Sequence, residues 1–508
     1  MPHAGIMMQP LVLGIDCGTQ SLRAAMYQPD GLLVAQAIRG YTTQYPHPGH
    51  AEQRPADWWD ALCGAVRGCL RDGGIPPETV AALACDGTSY TGVFCTDGGH
   101  PLRPALLWMD HRAAAEAQYI EETGHPALDT CGRRISPEWT LPKVLWAQIH
   151  EPETYAAAER IVEGADWLIH RMTGRWVTSN SNASGKRHWT PKKGWPVAFY
   201  ESLGLPELAI KSPSEVVYLG EPVGRLTPAA ADALGLTPQC IVAHGGMDGW
   251  TAAVGKNCFH PGTASLALGT SIVMAVEHNK PLIINGVMGP FPDGIRRGYW
   301  AYEAGQTSGA SVVGWLVKTL GFNDDAETHH RLGQDAAAIA PGSEGLTVFD
   351  AWRGSRTPYF DFNARGVFCG LTLEHSPAHL YRAVLEGCAF GIRNVLTTYL
   401  DGGVPIESLR VCGSGAENLL WTRIIASVTG IPLMVSHEKH ATCLGSAVCA
   451  AVAAGLHPNL TDAAAAMEPL FDTVEPNPEA AKVYDAGFER YRAIYTALKP
   501  VMHQQTSG

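Results

Sequence analysis

Leu11-Val12-Leu13-Gly14-Ile15-Asp16-Cys17-Gly18-Thr19-Gln20-Ser21-Leu22-Arg23 runs an apolar stretch into a Gly-Thr turn, and a second apolar stretch leaves it. This is the signature of a β-hairpin, and it returns past mid-chain as Ala264-Ser265-Leu266-Ala267-Leu268-Gly269-Thr270-Ser271-Ile272-Val273-Met274. In each turn Gly lets the backbone come close to a ligand and face its N–H groups outward. Thr19 and Gln20 in the first, and Thr270 and Ser271 in the second, add side-chain donors. One such turn is an ordinary hairpin. Two in one chain imply a duplicated scaffold with a polyphosphate held between the copies. Asp16 precedes the first turn, whereas Ala267 stands at the matching place in the second. That asymmetry suits a single divalent ion, or its bound water, beside one phosphate loop.

A chain of 508 residues is too long for one core and is expected to split into two domains. A hydrophobic fraction of 46% with 17% charged residues is that of a soluble globular protein. Net charge is −12 and no Lys/Arg cluster stands out, which argues against a nucleic-acid surface. No apolar stretch is long enough to span a bilayer, and no basic-then-apolar leader opens the chain. The 13 cysteines are scattered singly, without zinc spacing, and read as small core hydrophobes in a reducing compartment. A cytoplasmic protein is expected, with a homodimer as the base-rate assembly.

The opening continues as a meander, with strands Leu11–Ile15, Leu22–Tyr27 and Leu32–Ala35. Pro55 starts a helix that runs to about Leu70, and Val80–Cys85 reads as a buried strand. Gly92–Cys95 is predicted to pair with it or with a neighbour. Residues 113–174 read as mainly helical. Strand Cys240–Ala243 leads through His244-Gly245-Gly246-Met247-Asp248-Gly249 into a helix at Trp250–Val254. The second half repeats the plan with a hairpin, helices at Ala310–Leu320 and Pro377–Leu400, strand Leu409–Cys412 and helix Leu419–Thr429. Ala441–Gly455, rich in Ala, Gly and Cys, is expected to be a helix packed tightly on another element. The junction is placed near Lys256–Gly262, giving domains 1–259 and 260–508 around a central cleft.

The Walker A pattern is absent, so phosphate binding would have to use the hairpin turns. Asp248 lies at a predicted helix N-terminus, where the commonest role of Asp is to cap. Capping is compatible with catalysis. The helix dipole favours an ionised carboxylate there, ready to take a proton from an attacking hydroxyl. Polar residues also gather where strands end: Asp86 to Thr91, Asp110 to Arg112, Glu138 with Lys143, Lys186 and Glu303. Taken singly each is better explained as a solvated or salt-bridged residue than as a ligand contact. Together they suit a polyhydroxylated ligand, which carboxylates and amines hold by charge-assisted hydrogen bonds.

With these segments on the page, the chain resembles the FGGY family of carbohydrate kinases over nearly its whole length. The resemblance is carried by Asp16-Cys17-Gly18-Thr19, His50-Ala51-Glu52-Gln53-Arg54-Pro55-Ala56-Asp57-Trp58-Trp59, and Trp108-Met109-Asp110-His111-Arg112. Gly245-Gly246-Met247-Asp248-Gly249, Leu268-Gly269-Thr270-Ser271 and Gly413-Ser414-Gly415-Ala416-Glu417-Asn418 complete it. The family implies an α/β, two-domain actin/Hsp70/hexokinase-like (ribonuclease H-like) fold with sugar deep in the cleft and Mg-ATP mainly on the C-terminal half. By that resemblance Asp248 would be the catalytic base and Asp16 would act near Mg²⁺. Gly18, Thr19, Gly269 and Thr270 would face the phosphates, and Gly413, Gly415 and Asn418 would border the adenosine. Gln20, Arg23, Ser271, Gln306 and Gly314 would be further cofactor-binding residues. Ser89, Tyr90, Asp110, Glu138, Lys186 and Glu303 would join Asp248 around the sugar. The sugar side is similar to the ribulokinase branch, through Glu138-Trp139 with Lys143, Ala183-Ser184-Gly185-Lys186 and Tyr302-Glu303-Ala304-Gly305-Gln306. It implies transfer of the γ-phosphoryl group of ATP to the terminal primary hydroxyl of a ketopentose, ribulose first. The alternatives are xylulose or another small polyol or sugar acid, and a non-catalytic actin/Hsp70-type nucleotide switch.

Overall fold

The computed structural model describes residues 9–504. Strands β1 (Leu11–Cys17), β2 (Ser21–Tyr27) and β3 (Leu33–Gly40) form the expected antiparallel meander. Every residue of β1 is buried, as an unbroken apolar run requires when both faces of a strand are covered. On its other side β1 pairs in parallel with β4 (Val80–Gly87), in a register that sets Asp16 beside Asp86. The sheet ends with β5 (Pro222–Arg225) at the edge and β6 (Ile241–Met247) between it and β4. Helix α1 (Pro55–Asp72), opened by its proline, buries Trp58, Leu62 and Ala65.

The second sheet repeats this order. β7 (Thr263–Leu268), β8 (Ile272–His278) and, beyond β9 (Met288–Pro292) in sequence, β10 (Trp300–Gln306) make the second meander. β11 (Ser408–Cys412) runs parallel to β7, β12 (Leu433–Ser436) parallel to β11, and β13 (Phe471–Val474) antiparallel at the edge. Apart from β9, an additional edge strand beside β10, the two sheets share one strand order, so the duplication read from the hairpins is a property of the structure.

Six further segments position the site. Helix α2 (Asp248–Gly255) follows β6 directly, and α3 (Ala310–Thr319) follows β10. The long α4 (Pro377–Asp401) precedes β11, and α5 (Leu419–Thr429) follows it. The ends of α5 are locally encoded: the Asn418 side chain accepts from Trp421 N–H, and Gly430 closes the helix at φ 71°. Helix α6 (Ala441–Ala453) comes late in the chain yet packs on β1, β4, β6 and α2 of the first sheet. The sixth segment is a small four-stranded sheet, which the sequence reading missed. Gly92–Cys95 pairs with Ala105–Leu106 and with Arg160–Glu163, not with β4. Arg160–Glu163 is a strand inside a stretch read as helical, too short for periodicity to reveal. Among the described residues no helix is long and apolar enough to cross a membrane.

Candidate active site

Three carboxylates converge where β1, β4 and β6 end. Asp16 is buried, and its Oδ2 accepts from Arg23 Nη1 at 3.1 Å and from Thr442 Oγ1 at 2.9 Å. Asp86 is wholly buried, and its Oδ2 accepts from Ser446 Oγ at 2.7 Å. No donor among the described residues reaches Asp86 Oδ1. Burial, with Asp16 and then Asp248 close by, pushes the Asp86 carboxyl well above the usual range against the opposing Ser446 hydroxyl. Thr442 and Ser446 lie one turn apart on α6, so this late helix supplies a hydroxyl to each of two N-terminal carboxylates.

Asp248 is the first residue of α2, not its cap; the strand continues to Met247, which takes the cap position. The cause is an irregularity in β6. The pairing with β4 shifts between His244 and Gly246, and Gly246 adopts φ 85°, a region open to glycine. Side chains brace the shift: Gly246 N–H donates to His244 Nδ1 at 3.0 Å, and His244 Nε2 meets Asp166 Oδ1 at 2.9 Å. Met247 N–H donates to Ser181 Oγ at 3.1 Å. The half-buried Asp248 carboxylate accepts from the Gly249 N–H at 2.7 Å.

On the other side lies a mostly buried cluster of polar side chains. Tyr90 is buried at φ 64°, next to the half-buried Ser89. Its carbonyl accepts from Lys143 Nζ at 2.9 Å, and the same ammonium donates to the carbonyls of Leu107 at 2.5 Å and Glu138 at 2.6 Å. Burial pushes the Lys143 ammonium down to about 7. Lys143 therefore pins three backbone segments together. Glu138, buried, accepts from Arg356 Nη2 at 3.1 and 2.9 Å and from Ser136 Oγ at 3.2 Å. Glu303, buried on β10, acts electrostatically on both Tyr90 and Arg356. Lys186 lies on the helix Asn180–Arg187, and its side chain is outside the described residues.

The turns of the two hairpins are built alike, with Gly18 N–H donating to Ser21 O and Gly269 N–H to Ser271 O, both at 3.1 Å. Thr19 Oγ1 accepts from Trp108 Nε1 at 3.0 Å, which ties the first turn to the segment that follows the strand Ala105–Leu106. Next to these turns opens a cavity of about 1010 Å³ between α3 and α5, with Gln20, Thr270, Gly314, Gly415 and Asn418 on its wall. Gly413, at φ 98°, brings the loop after β11 against the Leu268 carbonyl, where a Cβ would stand 2.6 Å from the oxygen. Inside the cavity a polar chain runs from Asn418 Nδ2 through the Tyr381 hydroxyl (3.3 Å) to His329 (3.1 Å) and Asp324 (2.8 Å).

Models of the FGGY family of carbohydrate kinases match twice, the N-terminal domain over residues 11–255 and the C-terminal domain over 264–454. The chain belongs to the FGGY family of carbohydrate kinases. It is 31% identical to a ribulokinase of Geobacillus thermodenitrificans, with 95% of this chain and 94% of that protein covered. To a ribulokinase of Mycolicibacterium smegmatis it is 33% identical, covering 95% and 93%. Among solved structures, the crystal structure of a xylulose kinase from Brucella ovis superposes at TM-score 0.86 with 28% identity, covering 97% of this chain and 100% of that one. The fold is the expected two-domain actin/Hsp70/hexokinase-like one, and the protein is a phosphotransferase rather than a non-catalytic switch.

Two assignments made from sequence need correction in this carbohydrate kinase. Asp110, placed against the sugar, has no exposed surface; its oxygens accept from Ala51 N–H at 2.6 Å and from Arg112 through Nε at 2.8 Å and Nη2 at 2.7 Å. Burial pushes this carboxyl up, and the Arg112 guanidinium outweighs it, holding the group below its usual range. Asp110 is a pin beneath the pocket. Gln306, placed beside the nucleotide, is buried off the cavity wall: a Cβ on Gly391 of α4 would meet Gln306 Nε2 and Asp350 Oδ2. Arg23, placed at the phosphates, is half-exposed and pairs with Asp16. Sequence reasoning missed Ser446, Thr442 and Arg356. The only local signal was the small-residue character of α6.

The Asp350 beside Gln306 has a measurable consequence. It accepts from the Tyr491 hydroxyl at 2.6 Å through Oδ1, and burial pushes its carboxyl up to about 7. Between about 4 and about 7 the folded chain holds a proton there that the unfolded chain has released. Stability from this group is therefore full at the acid end and is lost as pH rises through about 7. Asp350→Asn should flatten the fall of the melting midpoint over that range, read by thermal unfolding in buffers from pH 5 to pH 8.

Proposed function

We propose that this kinase transfers the γ-phosphoryl group of ATP to the terminal primary hydroxyl of a ketopentose, with ribulose the first substrate. The observation that carries the reading is the position of Asp248. It opens α2 within electrostatic reach of Asp86, of Cys17 just before the Gly18-Thr19 turn, and of Tyr90. Ribulokinases at 31% and 33% identity over nearly the whole chain support the choice of sugar.

In this reading Asp248 accepts the hydroxyl proton as the sugar oxygen attacks the γ-phosphorus and ADP leaves. Glu303 and Lys186 orient the sugar, while Ser89, Tyr90 and, through its partners, Glu138 shape the pocket. Gly18, Thr19, Gly269, Thr270 and Ser271 face the phosphates. Gln20, Gly314, Gly413, Gly415 and Asn418 border the nucleoside, whose share of the 1010 Å³ cavity leaves room for the base. The first 259 residues supply the sugar pocket and first phosphate turn, and residues 260–508 the nucleotide side. Closure of the two over the substrates would keep water from the phosphoryl group.

Magnesium fits the donor set in one way. Among the described residues no three His, Cys, Asp or Glu side chains are grouped to cage a metal. The ion would be held by Asp16, directly or through water, with phosphate oxygens and waters completing its shell, as Mg²⁺ prefers. Bound there, it supplies positive charge against the phosphate oxygens. A cytoplasmic location, expected from the scattered spacing of the cysteines, is part of this reading.

A panel of ketopentoses, tetruloses, pentitols and sugar acids in a coupled ADP-release assay tests the substrate. Ribulose should give the highest kcat/KM. Xylulose is the second reading, because the similar structure from Brucella ovis is that of a xylulose kinase. Equal turnover of xylulose, or none of ribulose, would refute the choice of sugar.

A further inference from the structure

Arg356 belongs to no segment that the resemblance singled out. It stands in the loop between the strands Thr347–Phe349 and Val367–Cys369. That loop is fastened to β10 around Glu303. Thr357 N–H donates to Gly305 O at 3.1 Å, and Gly305 N–H donates to Thr357 Oγ1 at 3.3 Å. Thr307 Oγ1 donates to Gly354 O at 2.8 Å. From there the side chain crosses 218 positions of sequence to Glu138, with Nη2 shared between both carboxylate oxygens. The residue is only 7% exposed.

A guanidinium presents five N–H donors in a rigid fork. Among the described residues no acceptor engages Nε or Nη1 of Arg356, although Glu303 and Tyr90 lie near enough to influence its charge. Neither nitrogen is among the buried side-chain atoms left without a partner, so the small exposed part of this residue is on its donor edge, where a ligand acceptor can reach it. A sugar hydroxyl beside Tyr90 and Glu303 is such an acceptor, and Glu138 holds the fork in plane to meet it.

We propose that Arg356 is a sugar-recognition residue, donating from the C-terminal half to a hydroxyl other than the one phosphorylated, with Glu138 as its positioning partner. The proposal rests on the reading that places the sugar between Tyr90, Glu303 and Asp248. It makes Glu138 a residue that acts on the sugar through Arg356, not by contact.

The test uses the full chain with Arg356→Gln and Arg356→Lys. kcat and KM are measured for the best sugar of the panel and for its series of monodeoxy analogues, alongside the KM for ATP and the melting midpoint. Loss of a charge-assisted hydrogen bond should lower kcat/KM for the sugar about 10- to 100-fold, mostly through KM, with the KM for ATP unchanged. One deoxy analogue, poor with the parent enzyme, should be handled equally by parent and Arg356→Gln, because the bond it lacks is already gone. Arg356→Lys keeps the charge opposite Glu138 but not the fork, and should show the same pattern; it carries the test if the Gln variant fails to fold. An equal loss for every analogue, or no loss at all, would overturn the proposal. A parent enzyme that phosphorylates no sugar would instead overturn the reading beneath it, and the proposal with it.

Discussion

Asp248→Asn is expected to yield a folded protein whose sugar-dependent ADP release falls by about 10²- to 10⁴-fold, the usual contribution of a general base. The substitution is nearly isosteric. Its oxygen can still accept from the Gly249 N–H, the contact the carboxylate makes at 2.7 Å, so α2 keeps its first turn. What is removed is the capacity to take a proton. Because the base acts on the sugar hydroxyl in the transition state, the loss should fall on kcat, with KM for both substrates little changed. Circular dichroism and the melting midpoint check the fold. Near-normal turnover in a folded Asp248→Asn protein would remove the base from the mechanism, and the function would need another acceptor in the cleft. The neighbouring Asp86 is a poor substitute, since burial and two adjacent carboxylates favour its protonated form.

How much of this was legible in the sequence depended on whether the determining interaction was local. The two hairpins were readable because a Gly-Thr turn between apolar runs is decided within a dozen residues. The ends of α5 were readable because Asn418 and Gly430 are its own flanking residues. Asp248 was found as a helix-terminal carboxylate, but its status as first helical residue depends on a shift in β6 braced by Asp166 and Ser181, which no short pattern displays. Asp110 was misplaced because a buried carboxylate serving Arg112 two residues on has the same appearance in sequence as one that faces a ligand. The contacts of Glu138 with Arg356 and of Asp86 with Ser446 span 218 and 360 positions. Those pairs are products of the fold. With one sequence, nothing linked their members in advance.

Gly445→Val should be among the most damaging substitutions in the chain outside the catalytic residues, and the reason is the crossing of α2 and α6. These helices approach so closely that a Cβ on Gly445 would lie 2.0 Å from the Thr251 carbonyl oxygen, and one on Gly255 2.0 Å from that of Ala441. Both oxygens belong to the backbone, so no side-chain rotation relieves the clash; one helix must move. Overpacking of this kind costs about 3 kcal/mol or more, from forced backbone displacement. The displacement also has a chemical reach. α2 begins with Asp248, and α6 holds Thr442 and Ser446 against Asp16 and Asp86, so separating the helices moves all three carboxylates relative to one another. Stability and kcat should therefore fall together in Gly445→Val, and Gly445→Ala should show a milder form of both. Gly333, inside the helix Ala326–Ala337 with open space around its Cβ position, is the control. Because Gly333 lines the cavity between α3 and α5, it serves as a control for stability alone: Gly333→Ala is expected to stabilise by about 1 kcal/mol, the propensity difference. Chemical unfolding midpoints and steady-state kinetics on the same preparations decide it. If Gly445→Val unfolds at the parental midpoint, then the helices do not cross at the distance that makes this glycine necessary.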